Sequence, residues 1–173
     1  MSPLFQEQLQ PGKIQHIICT GNICVKSELE YFKTICPEMS IIRGEFDEAG
    51  ISNLDESILT ISGLKVGIIN SFSISPINDI NKLASKQREL DVDILCFGGG
   101  HRAGVFLVHG GTHQASAIVH DGCLYLDPGS ATGVPSKFVE EAYPSFILLN
   151  IQGTLATAYT YQLINDSISV EEV

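Results

Sequence analysis

The stretch NDINKLASKQRELDVDILCFG, residues 78–98, joins two periodicities and decides the fold class. In its first half Ile80, Leu83, Ala84 and Leu90 recur at helical spacing, with Asn78 placed to cap the helix. In its second half Val92 to Phe97 is an apolar run of strand length. A helix followed at once by a buried strand is a unit of an α/β sheet. The strand runs out into Gly98-Gly99-Gly100-His101, and ligands gather at such carboxyl ends in open α/β sheets.

Upstream the same alternation continues. Ser2-Pro3 opens a short helical stretch that Pro11-Gly12 ends, and Ile14 to Cys19 is a strand. Ser27-x-x-Glu30 reads as a capping box for a helix carrying Leu29, Phe32 and Cys36. Met39 to Arg43 is the next strand, and Ile58 to Ser62 and Leu64 to Ile69 are two more, joined at Gly63. Downstream the helical period disappears. Val105 to Val108, Ala117 to His120, Leu124 to Leu126, Phe146 to Ile151 and Leu155 to Leu163 read as strands, separated by turns such as Asp121-Gly122 and Gln152-Gly153. Alternation followed by a run of strands predicts an α/β sandwich, two packed sheets with helices outside, in a single domain spanning 1–173.

Hydrophobic residues make up 44% of the chain and charged residues 17%, a globular balance. No apolar run approaches the roughly 20 residues of a membrane helix, and Gln6, Glu7 and Gln8 occupy the place of a signal peptide's apolar core. The reading is a soluble, cytosolic protein. A net charge of -10 argues against nucleic acid and against direct adhesion to anionic lipid. The five cysteines form no CxxC pair, which suits free thiols in a reducing compartment.

Four strand-ending loops are polar and marked by glycine: Thr20-Gly21-Asn22, Arg43 to Glu48, Asn70 to Pro76, and Gly98 to His101. Asn22, Glu45 or Asp47, Asn70 and His101 are candidate ligands for a hard cation, although Gly, Asn and Asp also collect in such loops for their turn geometry alone. His101, His109, His113 and His120 fall within 20 residues. His109-x-x-x-His113 has helical zinc spacing, but Gly110-Gly111 lies inside it and favours an inserted hairpin loop. Gly98-Gly99-Gly100 lacks the GK[ST] ending of a phosphate loop. Tyr159 and Tyr161 alternate with Ala158 and Thr160, a pattern of sheet packing.

The segments PGKIQHIICTGN (11–22), IRGEFDE (42–48), QRELDVDIL (87–95) and PGSATG (128–133) occur in the order seen in the small vacuolar-protein-sorting subunit of the retromer sorting complex. With the closing run from Pro144 to Ile164, nearly the whole chain resembles that family, which has a metallophosphoesterase fold. The resemblance implies a four-layer α-β-β-α sandwich of two mixed sheets. The family's first strand, ending in Gly-Asp-x-His, has no counterpart, because Met1 aligns where the following helix begins; a chain truncated at its N-terminus is the expectation.

The family's metal ligands fall on Asn22, Glu45, Asn70, Phe72 and a Gly-His-Thr-His motif matched by either Gly98 to His101 or Gly110 to His113. Asn70 and Phe72 replace two imidazoles, and Gly99 or Gly111 a third, so catalysis is not expected and the vestigial set is Asn22, Glu45, Asn70, His101 and His113. No cofactor is expected, the alternative being weakly held zinc or manganese in a partial phosphodiesterase site. The resemblance further implies docking of the old metal-site face, through Ile74, Pro76 and Ile77, on retromer's helical-solenoid subunit. It places regulators of Rab proteins on Leu148, Tyr159 and Tyr161. Membrane association, peripheral and endosomal, would come through partners alone.

Overall fold

Ser62 and Gly63 take φ of 52° and 93°, and two consecutive left-handed residues make the tight hairpin turn whose twist suits antiparallel strands. The same device recurs at Asp121-Gly122 and at Asn165-Asp166. In the computed structural model, which describes residues 3–74, 79–98, 115–133 and 143–173, these turns link β3 (Glu56–Ile61) to β4 (Leu64–Asn70), β6 (Ser116–His120) to β7 (Cys123–Asp127), and β9 (Leu155–Ile164) to β10 (Ser167–Glu172).

The five-stranded sheet has the order β3-β4-β5-β7-β6, where β5 is Ile94–Gly98. Its middle strands β4, β5 and β7 are parallel and its edges antiparallel. Two-residue periodicity sorts their side chains between two cores. Ile69, Leu95, Phe97 and Tyr125 face α3 (Ile80–Leu90) and meet its Leu83 and Ala84. Val66, Ile94, Cys96, Leu124 and Leu126 face the other way. Gly67 lies under this packing: a Cβ there would stand 3.1 Å from Val92.

The second layer is built from two pieces. Strands β1 (Ile17–Cys19) and β2 (Met39–Ile41) pair in parallel, and β8 (Ser145–Gln152) joins β9 and β10 in an antiparallel sheet ordered β10-β9-β8. Ile18 from the first piece and Ile147, Leu149, Ile151, Ala156 and Ala158 from the second pack on the same core. On the outer side of β8, α1 (Pro3–Gln8) buries Phe5 completely, edge-on to Phe146 at 4.8 Å. The expected α/β sandwich of two packed sheets is present, with its second layer divided, among the described residues, into two separate ladders.

Three local expectations change. Helix α2 (Lys26–Ile35) starts one residue before Ser27, after Val25, which gives no side-chain cap; the Glu48 carboxylate reaches across to the Lys26 N–H at 3.2 Å instead. A carboxylate from elsewhere in the chain serves the helix dipole as well as a local one does. For α3 the cap is Asp79, which accepts the N–H groups of Asn81 and Lys82 at 2.8 and 3.4 Å; Asn78 lies outside the described residues. Strand β10 was not anticipated, although Ile168 and Val170 alternate with polar residues in it. The Val105 to Val108 strand lies outside the described residues. Among those described, all five cysteines are free, and no helix is long and apolar enough to cross a membrane.

Candidate functional site

Three loops converge beyond the carboxyl ends of β1, β2 and β4, and glycine is required where they touch. A Cβ on Gly44 would fall 2.1 Å from the Asn22 Oδ1, and one on Gly21 would fall 2.8 Å from the Gly44 nitrogen. Gly21 also needs its φ of 98°, and Asn22 follows in the left-handed region at 63°. Asn22, Asp47 and Asn70 are thus brought together as the sequence suggested.

Their bonding runs opposite to that of a cation site. Asp47 sits between the loops as an acceptor: Oδ2 takes the Asn22 and Gly44 N–H groups at 3.1 and 2.8 Å, and Oδ1 takes the Cys24 N–H at 2.8 Å. Asn22 Oδ1 accepts the Phe46 N–H at 3.1 Å. Asn70 is fully buried; its amide donates to the Thr20 carbonyl at 2.7 Å, and its Oδ1 accepts the Phe72 N–H at 3.2 Å. Each of the Asn22, Asp47 and Asn70 side-chain oxygens thus accepts at least one backbone N–H.

A two-metal phosphoesterase needs a bridging carboxylate and several imidazoles. Among the described residues, no group of three or more His, Cys, Asp or Glu is placed to hold a cation. Glu45 is exposed, and Phe72 stands beside Arg43, Gly44, Glu45 and Asp47 around a shallow open depression. The described donor set does not fit the family's metals. His101 and His113 lie outside the described residues, as do Pro76 and Ile77.

Ile74 requires a correction. It was expected as a solvent-facing docking anchor, yet it is 7% exposed and packs in the core with Leu83 and Phe97. The turn Ser71–Ser73 after β4 points it inward, because its N–H bonds back to the Ser71 carbonyl at 3.1 Å. Aromatic groups that do reach the surface around the three loops include Phe46 and Phe72, each 38% exposed.

The end of β7 holds a group that the sequence reading passed over. Asp127 is fully buried; Oδ1 accepts the Gly129 N–H at 2.9 Å, and Oδ2 has no partner among the described residues. Burial pushes its carboxyl up to about 7, against the smaller opposing pull of that single N–H. Its signal was an acid closing the otherwise apolar run Leu124 to Leu126.

On the outer face of β8 and β9, Leu148 lies directly opposite Tyr159, and Phe146 opposite Tyr161. The rings of Phe146 and Tyr161 stack at 4.7 Å, 7° from parallel, while Ala158 and Thr160 point inward and are buried. Leu148, Tyr159 and Tyr161 are half-buried and share one face. Sequence reasoning missed Phe146, which joins this aromatic face, and the fully buried Phe5 that packs edge-on against it.

Comparison with known proteins follows these features. Residues 2–154 match the model of the calcineurin-like phosphoesterase superfamily domain. Vacuolar protein sorting-associated protein 29 of Schizosaccharomyces pombe is 34% identical, over all of this chain and 88% of that protein. The crystal structure of Vps29 complexed with zinc from Entamoeba histolytica superposes with a TM-score of 0.86 at 34% identity, over 100% of this chain and 89% of that one. Vps29 of Chaetomium thermophilum gives 0.87 at 30% identity, over 99% and 87%.

Proposed function

The chain belongs to the Vps29 family of calcineurin-like phosphoesterase-fold proteins, and from that premise we propose that it is a non-catalytic scaffold subunit of retromer. In this reading the surface around Asn22, Glu45 and Phe72 docks on the helical-solenoid subunit, and the face formed by Leu148, Tyr159 and Tyr161 receives Rab regulators. The observation that carries it is the bonding of Asp47. A carboxylate that gathers three backbone N–H groups rigidifies the loops and commits most of its acceptor capacity to the protein's own backbone. Around it Phe46 and Phe72 present half-exposed rings, the side chains that supply anchors in protein interfaces.

Purified solenoid subunit provides the test. Phe72→Asp should abolish capture with the circular dichroism spectrum unchanged, and Tyr159→Ala should leave capture intact while weakening regulator binding. A folded Phe72→Asp protein that still docks normally would place the interface elsewhere. The chain with manganese or zinc should hydrolyse a model phosphodiester no faster than a heat-denatured control. Metal-dependent turnover would instead establish a phosphodiesterase retaining a partial metal site.

A further inference from the structure

Strand β6 stands at one end of the five-stranded sheet, with β7 on its inner side. In β7 the Leu124 N–H bonds the Asp93 carbonyl on the β5 side, so its neighbours Cys123 and Tyr125 turn towards β6 and hold His120 and Ile118. The N–H and C=O groups of Ala117 and Val119 therefore point out along the edge of the sheet. Ile118 is 46% and Val119 65% exposed, so the strand stands open to solvent on both faces. Ile118 lies opposite Tyr125, on the α3 side of the sheet, and Val119 lies opposite Leu124, on the side of the second layer.

Natural proteins guard such edges with charge. Strand β3 carries Glu56, met by Lys86 at 2.7 Å, and β10 carries Glu171 and Glu172. Strand β6 has no Lys, Arg, Asp or Glu, in a chain whose net charge is -10. We propose that β6 is a self-association edge, on which a second copy of this chain pairs its own β6 antiparallel about a two-fold axis at Ile118. The strand is self-complementary in that register, which leaves none of its five residues unpaired. Ala117 exchanges both backbone bonds with Val119 of the second copy, so a small side chain faces a large one. Ile118 meets Ile118 at the non-hydrogen-bonded position, where Cα atoms stand about 4.5 Å apart and β-branched side chains pack well. Ser116 meets His120 at each end, and the contact is isologous, so it closes as a dimer rather than growing into a fibre. Shifting the register by two residues in either direction sets the edge against the Asp121-Gly122 turn or leaves part of the strand unpaired. One short strand from each copy falls below the roughly 1,600 Å² of a standard interface. Two copies of like charge also repel, so the dimer is weak and tightens as salt screens them.

Sedimentation of the full chain tests this. The average mass should rise with concentration from that of one chain towards that of two, and further at about 0.5 M salt than at about 0.05 M. Ile118→Lys and Ile118→Glu place like charges face to face across the axis. Each variant alone should stay monomeric with an unchanged circular dichroism spectrum, and an equal mixture of the two should dimerise again. Amide exchange followed by NMR should slow at Ala117 and Val119 as the unsubstituted chain is concentrated, with Ile118 and His120 unchanged because β7 already holds them. A single-chain mass maintained up to about 1 mM would overturn the proposal, and so would a folded Ile118→Lys protein that dimerises as the parent does. Should either variant unfold, the exchange pattern of the unsubstituted chain decides: rates at Ala117 and Val119 that do not change with concentration refute the pairing.

Discussion

Asp127 is a carboxyl whose proton is easier to keep in the folded chain than in the unfolded one. Its folded value of about 7 lies above the roughly 3.9 of a free aspartate. Stability is therefore full below about pH 4, falls as pH rises towards 7, and is level above. Asp127→Asn should abolish this slope, leaving stability unchanged at pH 3.5 and raising it at pH 8 by on the order of a few kcal/mol; thermal melts at the two values decide. A variant less stable at pH 8 would mean that Oδ2 has a partner. Asp47 and Glu45 make a second contrast. Asp47→Ala strands three backbone donors and should cost about 3 kcal/mol in urea unfolding, whereas exposed Glu45→Ala should stay within about 0.5 kcal/mol, both unaffected by EDTA. If Glu45 proved the costlier, a bound cation would be implicated. The sequence located this cluster but not its sense, since an aspartate reads the same whether it faces a cation or an N–H.

Short elements were legible where chemistry is local and illegible where it is not. Ser62-Gly63 and Asp121-Gly122 announce hairpins because left-handed φ selects those residue types. The start of α2 was misread at Ser27 because its supporting carboxylate, Glu48, arrives from 22 residues away. Ile74 looked like a rim residue from its polar neighbours, and only the turn at Ser71–Ser73 carries it into the core; Ile74→Asp should consequently unfold the chain rather than merely block docking. Helix α1, at six residues, is too short to hold itself. Phe5→Ala should release it, and protease cleavage between Leu4 and Leu9 should accelerate before the rest of the chain is cut. Unchanged cleavage would show that contacts other than Phe5 on Phe146 hold the helix.

For the molecule as a whole, the two-period pattern sufficed for an α/β sandwich, and ordered segments from PGKIQHI to PGSATG sufficed for the family. The division of the second layer into two ladders was not legible in the strand pattern, since which strands pair depends on hydrogen-bond direction in β1 and β8. The acidic surface belongs to this scale too. With a net charge of -10 and no described helix able to span a bilayer, the chain alone should not co-sediment with phosphatidylserine vesicles at about 0.1 M salt, where repulsion still acts over about 10 Å. Addition of the solenoid subunit should bring it down. Sedimentation of the chain by itself would contradict partner-dependent recruitment.

The clasp formed by Asp47 also bears on heredity. Two of the changes that would move the three loops towards a cation pocket begin by removing something: replacing Asn70 disturbs the bonds to Thr20 and Phe72, and redirecting Asp47 frees three donors at once. Neither step supplies a complete ligand set among the described residues, and each lowers stability before it could add a ligand. Selection for a folded protein alone then acts against both steps, as a ratchet that holds the three loops together whatever the chain's chemistry.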